Sequence, residues 1–429
     1  MERPSWQFRR PNSAHAAASA TVQTARTGPT AARIRLPKPL RRMTREGLIV
    51  LSTTVLLVLI GTVMVLSASQ VESKVEDGGF VVQASRQLLF AAIGIPAMLL
   101  ASQLPQRAWM RLATPFLGFT FLLQVLVVAT PLGVNVNGNQ NWLKLGPLPQ
   151  FQPSEWIKVA LVLWIAMFIT RKAHVMEDFW KGLFPILLVS GAGIMLVMLG
   201  KDLGTSAIMG VMVIGGLFLA GVKFRLLLVP TMVGAAGAAF AAATSGNRMA
   251  RLLAFASQGC QQVDLNACWQ SQQGSYALAN GGLFGVGLGN SAAKWAWLPE
   301  ADNDFIFAII GEEAGLIGAI VVISLFVLLA FGYGRGLAAT DNPFGRVVAS
   351  CVVVWIVGQA FVNIGVVLGV MPVLGVPLPL VSAGGSALIT TLIATGLVLS
   401  TMRSTGTAPA QSAPSAYLPR SGTERMAPR

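Results

Sequence analysis

Three carboxylates crowd one short stretch, "WLPEADNDFIF", which runs from Trp297 to Phe307: Glu300, Asp302 and Asp304. A carboxylate beside apolar residues loses water, its pKa rises, and it becomes a usable proton acceptor near neutral pH. Asp304 is placed for this, because an apolar run begins at Phe305. The simpler reading of the spacing is a helix cap, since an Asp before a helix accepts bonds from its orphan N–H groups. Glu312 and Glu313 lie deeper in the same run. Lipid cannot hide both charges, so at least one is expected to face a polar cavity or a partner.

Three further places put charge where apolar residues dominate. In "FQPSEWIK", Glu155 and Lys158 stand three apart and share a helix face, as a structural ion pair or as ligand contacts. In "LGKDLGTS", Lys201 and Asp202 interrupt two apolar runs, either as an interfacial pair or as substrate-facing groups. In "NGGLFGVGLGNSAAKW", the glycines lack the lysine and preceding strand of a nucleotide loop. Lys294 there suits an anionic headgroup.

The elements that must carry these residues are membrane helices. Of 429 residues 54% are hydrophobic and 11% charged, against about 25% charged in soluble domains. Mean hydropathy is +0.66. The apolar runs are continuous rather than alternating, which points to an all-α integral membrane protein rather than a barrel. About ten spans are expected, near 48–68, 87–104, 111–130, 155–170, 183–200, 205–222, 226–244, 305–331, 347–370 and 383–402.

The connecting charges orient them. Alternate loops hold Arg107; Arg171, Lys172 and Lys181; Lys223 and Arg225; and Arg335, whereas the loops between are acidic or nearly uncharged. Both termini are therefore expected in the cytoplasm, with one large extracytoplasmic loop, 245–304, between helices 7 and 8. Ten of the 31 Lys and Arg residues fall in the first 46 positions. Residues 1–46 read as a basic disordered tail, 47–403 as the membrane domain and 404–429 as a second disordered tail. The first 30 residues lack an apolar core, which suggests an uncleaved first span. The net charge of +14 sits in this juxtamembrane arrangement, and no nucleic-acid-binding motif accompanies it.

This topology narrows the chemistry. The two histidines, His15 and His174, both fall on the cytoplasmic side, so outer-face acid–base work is left to Asp, Glu, Lys or Tyr. Arg248 and Arg251 join Lys158, Lys201 and Lys294 as outer-side cations. Cys260 and Cys268 in the long loop are candidates for a disulfide, with two reduced thiols as the alternative.

Five stretches together resemble the shape, elongation, division and sporulation (SEDS) family: "VMVLSAS", "FQPSEWIKVAL", "KDLGTS", the block 277–319, and "GQAFVNIGVVLGVMPVLGVPLPLVSAGGSA". The likeness covers about residues 48–400 and is greatest to the cell-division branch. It implies a multi-pass glycosyltransferase of the bacterial cytoplasmic membrane, at the division septum. Such an enzyme polymerises lipid II, the undecaprenyl-pyrophosphate disaccharide-pentapeptide, beside a class B penicillin-binding protein. The tails would meet other division proteins. The resemblance also implies Asp304 as the catalytic base. Glu155, Lys158, Asp202, and Ser382, Gly384 and Gly385 of "VSAGGSA" become substrate contacts. A divalent ion, magnesium or manganese, near Asp304 or Asp202 would help the leaving group; no ligand cluster marks it.

Three departures stand out. Lys201 replaces the proline of the family's usual "QPDLG". Gln140-Asn141-Trp142 replaces its "RRW". Asp302 stands where histidine is common, adding a like charge that would raise the pKa of Asp304. A lipid II flippase and a non-catalytic scaffold remain alternatives. A polymerase needs its acids clustered at the outer surface, and a flippase needs a polar track through the midplane.

Overall fold

Apolar residues on every side of a helix leave backbone hydrogen bonding as the only constraint, and the chain answers with long helices. The computed structural model describes residues 43–403, apart from 76–78, 137–138, 145, 147–149, 245, 257–264 and 296–297. The side chains of 69–75, 79–84, 136, 247–248, 254, 256 and 265–268 also lie outside it. Thirteen helices are described: α1 (Arg45–Val75), α2 (Gly79–Gln103), α3 (Gln106–Ala129), α4 (Pro153–Arg171), α5 (Phe184–Leu199), α6 (Leu203–Leu219), α7 (Phe224–Ala243), α8 (Gly246–Ala256), α9 (Leu265–Gly281), α10 (Ile306–Glu313), α11 (Gly315–Ala339), α12 (Pro343–Val367) and α13 (Gly385–Thr401). Eight described helices are long and apolar enough to cross a membrane, α5 together with the π-helical turn Phe179–Leu183 that leads into it, and α6 and α13 are shorter apolar helices of 17 residues each.

One expectation is corrected. The run read as one span over 305–331 is two helices. Ala314 ends α10, and Gly315, at φ +67, turns the chain into α11, which continues to Ala339. A Cβ on Gly315 would collide with the Gly285 backbone, so only glycine suits both the conformation and the approach. The 245–304 connection carries two helices, α8 and α9. A small antiparallel hairpin, β1 (Gly133–Val136) with β2 (Asn139–Leu143), joins α3 to α4 and was not foreseen.

Contacts gather the helix ends into two sets. At one end Met43 bridges Arg403, Glu46 lies 3.9 Å from Arg335, Gln106 meets Asn342, and Glu177 lies 3.2 Å from Lys223. These are the turns that carry the basic residues. At the other end the hairpin binds the α5–α6 turn, through Gln140 N–H to the Gly200 carbonyl at 3.0 Å.

α4 and α12 are the most enclosed of the membrane-length helices, and α7 is the least. Pro153 and Pro343 start α4 and α12, where a missing N–H costs nothing. A buried ion pair on α4 ties the two helices together. Lys158 Nζ lies 2.7 Å from Glu155 Oε1, with both side chains almost fully enclosed. Across the interface the same ammonium sits 4.7 Å above the Trp355 ring and donates to Gln359 Oε1 at 3.4 Å.

Two outcomes follow for thermal melting of the detergent-purified protein. Gly315→Ala is expected to cost about 1–3 kcal/mol and lower the melting midpoint, because L-residues strain at this φ. Lys158→Met is expected to cost about 3–5 kcal/mol by stranding the Glu155 charge. Adding Glu155→Gln should restore most of that loss, and a double variant no more stable than the single would refute the pairing.

Candidate active site

A cavity of about 350 Å³ opens at the end of the bundle opposite the basic turns. Its walls come from the hairpin, the starts of α4 and α6, α8, the segment before α10, and the α12–α13 connection. Four carboxylates line it, Glu155, Asp202, Glu300 and Asp304, together with two cations, Lys201 and Arg251. Glu300 and Lys201 hold left-handed backbone, at φ 55 and 64. Non-glycine residues in this region cluster where a site over-determines the backbone. Proline cannot reach φ 64. The family's usual proline at position 201 would therefore demand a different turn.

Asp304 does not cap α10. Phe305 occupies the cap position, and no side chain caps the helix. The Asp304 carboxyl faces the cavity, and a Cβ built on Gly375 would lie 3.5 Å from its Oδ2. Burial, by removing water, pushes its pKa from 3.8 up to about 7; Glu300 and Asp202 add repulsion, Arg251 pulls it back, and Asp302 adds a smaller repulsion. The like charge expected from Asp302 thus acts in the expected direction, behind burial.

Asp202 caps α6. Its Oδ1 accepts from Thr205 N–H at 2.9 Å and its Oδ2 from Gln152 Nε2 at 3.1 Å. Burial raises its pKa, Thr205 opposes that rise, and Glu155 reinforces it. Glu155 reaches the cavity, whereas Lys158 lies behind it and spends its charge on Glu155 and α12.

Several expected contacts lie elsewhere. Lys294 is buried away from the cavity, 3.2 Å from Glu313 Oε1, and also donates to the Ser67 and Gly289 carbonyls. Glu313 accepts from Ser67 Oγ at 2.7 Å. Glu312 accepts from Asn280 at 2.8 Å, from Ser291, and from the backbone of Ala292 and Ala293. Neither glutamate faces the cavity, because the 282–294 segment folds back to satisfy both. Gly384 lines the cavity, but Gly385 does not, since a Cβ there would collide with Phe90 of α2. Ser382 bonds the Asn303 carbonyl at 2.6 Å rather than lining the cavity. The Arg248 side chain, Cys260 and the Cys268 side chain lie outside the described residues.

Sequence reasoning missed Gln152, Gln359 and Asn363. Gln359 and Asn363 stand four apart in an apolar helix, and that polar stripe was the available signal. Among the described residues no group of three or more His, Cys, Asp or Glu side chains is arranged to hold a metal.

Residues 48–406 match the FtsW/RodA/SpoVE family, described as cell cycle proteins. The chain is 37% identical to a probable peptidoglycan glycosyltransferase FtsW of Geobacter sp. strain M18, covering 84% of this chain and 97% of that one. It is 35% identical to stage V sporulation protein E of Bacillus subtilis, covering 84% and 98%. A solved structure concerned with the structural coordination of polymerization and crosslinking by a peptidoglycan synthase complex matches with TM-score 0.66 at 27% identity, covering 82% of this chain and 96% of that chain. Rod shape determining protein RodA of Thermus thermophilus matches with TM-score 0.60 at 28% identity, covering 82% and 95%. The helical bundle, its carboxylate cavity and these likenesses agree, and the chain belongs to the FtsW/RodA/SpoVE family of cell cycle proteins, in its FtsW branch.

Proposed function

We propose that this chain is a peptidoglycan glycosyltransferase that polymerises lipid II at the outer face of the bacterial cytoplasmic membrane, for septal wall synthesis. Relatives at 34% and 37% identity carry that enzyme's name, and the cavity supplies matching chemistry. Asp304 removes the proton from the acceptor sugar's 4-hydroxyl. That oxygen attacks the anomeric carbon of the lipid-linked glycan from the far side, and undecaprenyl pyrophosphate departs with the bonding electron pair. The configuration inverts. Lys201 and Arg251, in the same cavity, take the pyrophosphate charge. Glu155 and Asp202 orient the sugars through their remaining acceptor capacity.

One observation favours this reading over a flippase. Every buried charged residue described, namely Glu155, Lys158, Asp202, Lys294, Asp302, Glu312 and Glu313, lies toward the cavity end of the bundle. Below Lys158, α4 carries no charge until Arg171. A polar track through the midplane therefore finds no charged lining among the described residues.

With the basic turns in the cytoplasm, the cavity faces outward and both termini face inward. A class B penicillin-binding protein is the expected partner, taking the growing strand for crosslinking. The tails, 1–46 and 404–429, are the segments available to other division proteins.

Polymerisation of labelled lipid II by the purified full-length chain tests the base. Asp304→Asn is expected to lose about 10²–10⁴-fold in rate, and wild-type speed in this variant would sink the assignment. Protonated Asp304 cannot accept a proton, so the wild-type rate should fall as pH drops below about 7. A rate flat from pH 6 to 8 would contradict it.

A further inference from the structure

Three consecutive carbonyls of the base-bearing segment are each held by a different donor from α12 or the connection that follows it. Ala383 N–H donates to the Asp302 carbonyl at 2.9 Å. Ser382 Oγ donates to the Asn303 carbonyl at 2.6 Å, and Asn363 Nδ2 donates to the Asp304 carbonyl at 2.7 Å. Asn363 Nδ2 also donates to the Val376 carbonyl at 2.8 Å. A side-chain amide has two N–H groups, and both are spent here. They tie together two neighbouring segments that line the cavity. One bears Asp304, and the other is the 372–377 strap, whose Gly375 lies against the Asp304 carboxyl.

The strap is held again one turn back along α12. Gln359 Nε2 donates to the Pro377 carbonyl at 2.8 Å, while its Oε1 accepts from Lys158 and from Trp355 Nε1 at 3.1 Å. Ser382 Oγ in turn accepts from Leu378 N–H at 2.7 Å, closing the strap on itself. Asn363 is 1% exposed and Ser382 5%, so water does not compete for either donor.

We infer that Asn363 and Ser382 are positioning residues of the glycosyl transfer: they clamp the backbone beneath Asp304 to the strap, and so fix where its carboxylate meets the acceptor hydroxyl. Neither side chain touches the cavity space, so neither needs to contact substrate. The inference rests on Asp304 being the base. Proton transfer tolerates little misplacement, and a shift of about 1 Å costs on the order of 10²-fold. Releasing the clamp also lets water reach the carboxyl, which lowers the pH at which it ionises.

The test uses the purified full-length chain and labelled lipid II, with kcat, KM and the pH profile read for Asn363→Leu and Ser382→Ala. Asn363→Leu keeps the volume and removes both N–H groups. It is expected to lower kcat about tenfold or more, leave KM within about twofold, and move the acid limb of the profile to lower pH. Ser382→Ala should move kcat and the acid limb the same way by a smaller amount, and it decides the matter if Asn363→Leu does not fold. Wild-type kcat in the folded variants overturns the clamp. So does a loss of kcat that tracks a fall in melting midpoint with the acid limb unmoved. Asp304→Asn serves as the reference. If it is inactive while the clamp variants are unaffected, the clamp alone fails. If it is fully active, the base reading fails first.

Discussion

A charge taken into a lipid-embedded bundle must find its counter-charge there, and the Glu155–Lys158 pair is the place where this fold settles that demand. The pair forms within one helix, but one turn of helix cannot satisfy an ammonium. Lys158 reaches across to Trp355 and Gln359, so the same electrostatic need that forms the pair also fixes α4 against α12. Gln359 then carries the constraint to the strap at Pro377, and Asn363, one turn on, carries it to Asp304. The cavity's shape is thus linked, bond by bond, to the neutralisation of a charge that lies outside it.

The cavity itself is held in electrostatic tension. Four carboxylates face two cations in one space. Burial eases the conflict by raising the pKa of both Asp304 and Asp202, so that less negative charge stands there before substrate arrives. On the proposed reading, the same desolvation that suits Asp304 to act as a base would make the site more tolerant of pyrophosphate. Lys201 and Arg251 oppose the acids from the rim, and Arg251 also limits how far Asp304 is raised.

Much of this was legible in the sequence, because charge stands out in an apolar chain. Asp304, Glu155 and Asp202 were visible as interruptions of hydrophobic runs, and the alternating basic loops told which helix ends lie together. What was hidden depends on partners distant in the chain. Lys294 looked like a headgroup cation because its partner Glu313 is nineteen residues away and comes to it only after the segment folds back. The span over 305–331 looked continuous because hydropathy does not register a left-handed glycine. Asn363 and Gln359 were overlooked because uncharged amides barely disturb the apolar pattern, although a buried amide is as exacting about partners as an ion.

The helix between Asp304 and its anchorage has a consequence of its own. α10 is eight residues long, starting beside Asp304 and ending at Glu312, locked to the segment before it, and Glu313, locked to that segment and to α1. At about 1.5 Å and 100° per residue, it works as a gauge between the locked glutamates and the carboxylate. Exchanging one apolar side chain for another on α10 leaves the gauge unchanged. Inserting or removing a single residue would turn Asp304 about a quarter of the way around the axis, or else unlock the glutamates. In this stretch the spacing of the chain, more than its composition, is what the chemistry depends on.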